Sequence, residues 1–473
     1  MPSTILIIGA GPAGLTAGYE LTQRGICPTI LEQSNSMGGL ARTENMDGYR
    51  FDIGGHRFYT KSSKVQALWE DVMQSNDFLH VKRLSRIFYN GNFFAYPLEL
   101  LEIITKLGIP ESFRIFISWL KSQFRPYPQE HTFEEWVSNR FGDHLYHIFF
   151  KTYTEKVWGI PCNQIQAEWA AQRIKGLSFT TALLDSIFKS SRAKTLTKEF
   201  RYPLYGPGMM WDQFRQKIEM VGGQIWCGAE VLGLEMENGR VCAARVQKDG
   251  QIITLKTEQV ISSMALKDMI LRLNPAPPAE VLQAAEGLRY RDFLQVGLVL
   301  NTTEVFLDQW LYIHSPKVQV GRIQNFKNWS AAMLPETSQT NLGMEYFCNQ
   351  GDELWNMSDD ALIALAGKEL RMLDLASNAK VIRGFVIRQP RAYPVYDATY
   401  QQHLAVIRSY LEGIPNLQTI GRNGMHRYNN QDHSMLTGLF AAANVCGEQH
   451  DLWEINMERS YYEEMMIEKE EEE

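Results

Sequence analysis

Residues 4–14 read TILIIGAGPAG, and few folds can begin this way. Ile5, Leu6, Ile7 and Ile8 are apolar without interruption, the pattern of a parallel strand covered on both faces. Gly9, Gly11 and Gly14 follow in GxGxxG spacing. Gly9 permits a tight turn, Gly11 lets the main chain approach a pyrophosphate, and Gly14 lets a helix pack closely on the strand. Leu15 to Gln23 has helical character, and Gly25 supplies a stop. A second short strand, Pro28 to Leu31, ends at Glu32, 18 residues beyond Gly14, where an acid meets a ribose hydroxyl. The helix N-terminus offers free N–H groups and a positive dipole end to phosphates. With strand, glycines, helix and acid in register, this unit is expected to hold a dinucleotide.

The chain has 473 residues, 45% hydrophobic and 21% charged, enough for two or three domains. Most of the net charge of −7 sits in a tail, 461–473, with seven glutamates and one lysine. The body is therefore nearly neutral, which excludes a large nucleic-acid footprint. The six cysteines, at 27, 162, 227, 242, 348 and 446, contain no CxxC pair. A zinc site or a disulfide framework is not expected, nor any other metal site, and a reducing cytoplasm fits. No apolar run reaches the ~18 residues of a membrane span, and the run Ile5–Ile8 is too short for a signal peptide. Ile103 to Phe124 is amphipathic and aromatic, and its apolar stripe is expected to be a buried helix face rather than a membrane contact. No internal repeat is visible.

Two further glycine pairs refine the dinucleotide. Residues 36–42 read SMGGLAR and resemble the FAD proteins of the amine oxidase and UDP-galactopyranose mutase group. There the pair, here Gly38 and Gly39, lets the chain pass close to the flavin nucleotide, and an arginine, here Arg42, follows. The resemblance implies FAD rather than NAD. Residues 51–61 read FDIGGHRFYTK. Gly54 and Gly55 would let main chain approach a flat ring, and His56 would sit beside the flavin, hydrogen-bonding near its N5.

Taken in order, the motifs resemble UDP-galactopyranose mutases, nearer the eukaryotic branch, over most of residues 1–450. They are GGHRFYTK (54–61), VKRLSRIFYNGNFFAYP (81–97), EKVWGIPCNQIQAEWAAQRI (155–174), QWLYIHSPKVQVGRIQNF (309–326), AYPVYD (392–397) and GRNGMHRYNNQDHSM (421–435). In that family reduced FAD acts through N5 as the nucleophile that interconverts pyranose and furanose forms of a nucleotide sugar. The resemblance implies that Arg173 and Arg322 grip the leaving diphosphate by forked hydrogen bonds. It implies that Tyr96, Trp158, Trp310, Tyr312, Tyr393 and Tyr428 line the substrate site, and that Arg422, Asn430, Gln431 and Asp432 belong to the C-terminal flavin motif. Val231 would lie near the adenine. NADPH is implied as the reductant, met by Arg83 and Ser85, and dimers or tetramers are frequent in the family. The alternative is an FAD-dependent oxidoreductase, an oxidase or desaturase of the amine oxidase or protoporphyrinogen oxidase type. The chain departs from the family at Lys61, where a second histidine is usual, and at Glu99, in a stretch the family fills with amides.

The expected fold class is α/β: a Rossmann-type FAD-binding domain of the amine oxidase kind, with a helical domain and an antiparallel-sheet substrate domain. The resemblance makes the FAD-binding domain discontinuous, from 1–60, 200–270 and 405–460. The helical domain takes 98–195, the substrate sheet 61–97 and 275–400, and the acidic tail 461–473. Thr132, three residues before Glu135, predicts a capped helix start.

Overall fold

A computed structural model describes residues 4–96, 98–167 and 199–456. The apolar run Ile5–Ile8 is the middle strand of a five-stranded parallel sheet, and all four residues are buried. Its neighbours are Thr29–Leu31, extended by Gln224–Trp226, on one side and Gln259–Ser262, extended by Leu417–Thr419, on the other. Remote stretches of chain thus return to one sheet.

Pro12–Gln23 and Gln431–Val445 are helices packed together beside this sheet. Their approach depends on missing side chains. A Cβ on Gly14 would lie 1.9 Å from the Gly9 carbonyl oxygen, and one on Gly438 would lie 2.1 Å from the Ala13 carbonyl oxygen. Either distance is inside the contact limit of any carbon.

A seven-stranded sheet forms the second large body. In spatial order its strands are Val381–Pro394, Tyr290–Leu300, Thr340–Cys348, Arg322–Asn325, Trp310–Ile313, Ser85–Tyr89 and Asn92–Ala95. Neighbours are antiparallel except Trp310–Ile313 against Ser85–Tyr89. Alternation along Tyr290–Leu300 sends Leu294, Val296 and Leu298 into a core shared with Leu362, Ala366 and Leu370 of the helix Asp359–Met372. Phe293 points the other way, into the core beside the site described below. A smaller sheet of Glu230–Glu237, Arg240–Lys248, Gln251–Lys256 and Leu273–Asn274 flanks the parallel one. The fold is α/β with this Rossmann-like arrangement.

Helices occupy most of the described part of 98–167. Thr132 and Glu135 form the expected box: the Glu135 N–H donates to Thr132 Oγ1 at 3.3 Å and the Thr132 N–H to Glu135 Oε2 at 2.9 Å. One expectation holds only at its start, where Ile103 is 3% exposed. In the helix Ile109–Phe124 the buried residue is Ile115, whereas Ile109, Phe113 and Phe124 are 80%, 63% and 83% exposed. Hydrophobic periodicity fixed which residues share a face, but the neighbouring helices pack against the opposite one.

Candidate active site

The C-terminal ends of the parallel strands, Ile8, Leu31, Ser263 and Gly421, open into a cavity of about 1300 Å³, the position where open α/β sheets hold ligands. The helix Pro12–Gln23 starts there, with Gly11 as its N-cap and no side chain capping it, so its first-turn N–H groups are left for an anion. Gly11 and Gly39 face each other; a Cβ on Gly39 would stand 3.2 Å from Gly11 Cα. The second glycine turn is held by the Gly38 N–H donating to the Ala10 carbonyl oxygen at 2.8 Å. Trp211, which would meet a Cβ on Gly38 at 2.7 Å, donates from its indole to the Ala41 carbonyl oxygen at 2.9 Å. Glu32 is buried and oriented by two main-chain donors, Ala10 N–H at 2.8 Å and Ser34 N–H at 2.9 Å. Arg42 bridges Glu44 at 2.5 Å and Gln389 at 2.6 Å.

Farther along the cavity the main chain turns at Gly54, whose φ is +85°. Its N–H donates to Gln295 Oε1 at 3.2 Å. A Cβ at Gly54 would come within 3.9 Å of the Arg322 guanidinium, which places that guanidinium directly against the turn. The next residue, Gly55, packs on Trp329 and Gln324. His56 bonds through Nε2 to the Ile53 carbonyl oxygen at 2.8 Å, so that nitrogen carries the hydrogen. Burial, and after it the charges of Arg422 and Arg322, push the imidazole down to about 4, so it is neutral near pH 7. The positive charge beside this turn therefore belongs to guanidiniums.

Arg322 is built into a fixed frame. Its Nε meets Glu345 at 2.5 Å and its terminal nitrogen donates to the Tyr393 hydroxyl at 2.9 Å. Glu345 is fully buried and also accepts from Gln324 Nε2 at 2.8 Å. Burial by itself would lower the Arg322 pKa; Glu345 outweighs it and holds the value above the ordinary range. Arg422 lies 4.6 Å over the Tyr428 ring and donates to the Asn429 carbonyl oxygen at 2.9 Å. Tyr393 and Tyr428 are stacked 5.8 Å apart. Nine arginines line the cavity against three carboxylates, Glu32, Asp268 and Asp432. Such a wall selects an anionic occupant.

A second helix N-terminus points into the same space. Gln431–Val445 begins behind Asn430, whose N–H donates to His433 Nδ1 at 3.3 Å. Asp432 accepts from the Thr60 hydroxyl at 2.9 Å. Gln431 Oε1 is buried without a partner among the described residues.

Of the residues singled out from sequence, Gly9, Gly11, Glu32, Gly39, Arg42, Gly54, Gly55, His56, Val231, Trp310, Tyr312, Arg322, Tyr393, Arg422, Tyr428, Asn430, Gln431 and Asp432 line the cavity. Others stand behind its wall. Tyr96 lies 5.0 Å from Tyr312, Arg83 stacks 5.6 Å from Trp310, and Ser85 pairs with Trp310 across two strands. Trp158 stacks on Tyr396 at 6.3 Å, meets Tyr393 edgewise and lies tilted against Tyr428. Gly14 and Gly38 act at packing contacts. Arg173 lies outside the described residues, as does the acidic tail. Sequence reasoning missed Glu345, Gln324, Gln295 and Arg57. A lone acid inside the apolar run NLGMEYFC (341–348) was the one available signal, since a buried carboxylate requires a partner.

A model of the NAD(P)-binding Rossmann-like domain matches residues 7–72. The crystal structure of a reduced UDP-galactopyranose mutase superposes with a TM-score of 0.84 at 20% identity, covering 97% of this chain and 96% of that one. The chain has the fold of a UDP-galactopyranose mutase. In sequence it is 30% identical over 169 residues to a probable UDP-galactopyranose mutase of Klebsiella pneumoniae, over 34% of this chain and 43% of the relative. It is 24% identical over 213 residues to the UDP-galactopyranose mutase of Mycoplasma pneumoniae, over 42% of this chain and 52% of that protein. These matches thus span about half or less of the relatives' length. Protoporphyrinogen oxidase 2 of Arabidopsis thaliana is 25% identical over 150 residues, 30% of each chain. The mutase resemblance read from the ordered motifs is borne out, and so is the fold class. The mutase fold also explains why the parallel sheet gathers strands from distant parts of the chain.

Proposed function

We propose that the cavity holds FAD and, beyond the Gly54 turn, the diphosphate of a nucleotide sugar whose pyranose and furanose forms the protein interconverts. The residues fit a flavin dinucleotide. The uncapped helix at Pro12 and the facing Gly11 and Gly39 suit its pyrophosphate, buried Glu32 its ribose, and the helix start at Gln431, with its unpartnered amide oxygen, the polar edge of the ring. What the flavin supplies, when bound and reduced, is a nucleophilic ring nitrogen for the anomeric carbon. The chain itself supplies charge and position. Arg322, fixed by Glu345 and Tyr393, stabilises the diphosphate as its bond to the anomeric carbon lengthens. Neutral His56 leaves that stabilisation to the guanidiniums and offers a ring that does not repel a cationic sugar. The stacked Tyr393 and Tyr428 exclude water. Arg173 is assigned as the second guanidinium on the diphosphate, and NADPH as the reductant, on the motif resemblance.

The observation that carries this reading is the framed Arg322 against the Gly54 turn. An amine substrate is cationic and gains nothing from a guanidinium there, whereas a porphyrinogen carries anionic propionates and is separated from a nucleotide sugar by turnover. The protein is expected to purify yellow. Reduced by dithionite, it should convert UDP-galactofuranose to UDP-galactopyranose with no net oxidation. Arg322→Lys keeps the charge, loses the fork and should slow conversion roughly 100-fold at unchanged flavin content. Absence of conversion, together with bleaching of the oxidised flavin by an amine or a porphyrinogen, would assign the protein to the oxidases instead.

A further inference from the structure

The helix Ile109–Phe124 carries an apolar stripe that is exposed at five positions. At 100° per residue, Ile109, Phe113, Phe116, Ile117 and Phe124 fall on one side, and they are 80%, 63%, 39%, 47% and 83% exposed. Ile115, on the opposite side, is 1% exposed. The same inward side is stitched to its neighbours: Ser118 Oγ accepts the His144 N–H at 2.9 Å, and the main chain at Trp119 passes so close to Gly142 that a Cβ there would collide at 2.6 Å. The outward stripe therefore cannot rotate inward.

Charge borders the stripe on one edge. Arg114, Lys121 and Arg125 follow it, Arg114 being 70% exposed and the other two exposed as well. The helix has one carboxylate, Glu111, which is turned toward His144 at 2.7 Å and also neutralises Arg114 at 3.0 Å. Lys121 and Arg125 have no carboxylate within salt-bridge distance among the described residues. Phenylalanine and isoleucine on one face, cations along its margin and no acid on the apolar side form the pattern of a helix that lies in a bilayer interface. None of the described helices is long and apolar enough to cross a membrane. Sixteen residues span about 24 Å, a footprint for lying on a bilayer.

We propose that the helix Ile109–Phe124 docks the protein on an anionic membrane surface, with the stripe at the acyl boundary and Lys121 and Arg125 on the lipid phosphates. The surface is distant in role from the cavity, so the inference does not depend on the mutase reading. The test is flotation of the full-length protein with vesicles of equimolar phosphatidylcholine and phosphatidylglycerol, and with phosphatidylcholine alone. The protein should float with the anionic vesicles, less so as salt is raised. The double variant Phe113→Glu and Ile117→Glu should weaken partitioning about tenfold or more, and Lys121→Glu with Arg125→Glu should weaken it as well. Ile252→Glu, at a 62% exposed apolar residue of the small sheet, should float like the parent. Near-ultraviolet circular dichroism identical to the parent checks that each variant is folded. Failure to float with anionic vesicles, or flotation indifferent to the stripe variants, overturns the proposal. So does a concentration-dependent dimer in sedimentation that the Phe113→Glu and Ile117→Glu variant dissolves, since the stripe would then be covered by a second copy.

Discussion

His56, His314 and His426 are held at about 4, 3 and 4, in each case chiefly by burial. An imidazole depressed in the folded state takes up its proton more readily in the unfolded chain. The stability it contributes is complete above about pH 6.5 and is lost as pH falls toward the folded value. Asp52 has the opposite sign. It is fully buried, and burial raises it to about 7 despite hydrogen bonds from Tyr202 and Thr43. Its contribution is complete below about pH 4 and fades as pH rises to 7. Three imidazoles losing stability outweigh one carboxyl gaining it, so melting temperature should fall from pH 7 to pH 5, and His426→Asn should flatten that slope. Asp52→Asn should raise the melting temperature by roughly 2–4 °C at pH 8 relative to its effect at pH 4.5. Calorimetry across pH checks both; a slope indifferent to His426 would show that the acid sensitivity arises elsewhere. None of these environments was legible in sequence. His56 was found through the glycines beside it, while His314 and His426 lie in stretches whose burial depends on strands and loops far along the chain.

Elements were legible where a local rule forces them. The strand, GxGxxG turn, helix and second strand at the N-terminus follow from local spacing, and the box at Thr132 from two residues. Contacts between elements were not. Gly438 lies mid-helix with no motif around it, yet it is where Gln431–Val445 meets the first helix main chain to main chain. Gly438→Ala should wedge apart two helices whose starts both face the cavity, at a cost of about 1–3 kcal/mol, and should lower flavin absorbance per mole of protein. Gly447→Ala, where an added Cβ meets nothing within 4 Å, is the control for adding a methyl group near the same helix, although its φ of +97° carries a strain of its own. Normal flavin content in the Gly438 variant would show that the helices can part without cost to the site. The stripe on Ile109–Phe124 taught the complementary lesson. A period of 3.6 identifies a face and leaves open whether protein or solvent meets it.

At the scale of the molecule, the return of remote strands to one sheet came only from family resemblance, because neither composition nor periodicity records which strands are neighbours. The apolar cores divide along the same line. One pair of clusters surrounds the parallel sheet and its small companion, and another fills the seven-stranded sheet and the helices. Between the two bodies lies the cavity, crossed by polar ties such as Gly54 to Gln295, Arg42 to Gln389 and Asn423 to the Arg391 carbonyl oxygen at 2.7 Å. An occupant touching both walls would serve as mortar between two masonry blocks. Stripped of flavin, the protein should melt in two calorimetric steps; reloaded, the steps should merge into one at higher temperature. A single unchanged transition in both states would mean that the blocks are already fused without their filling.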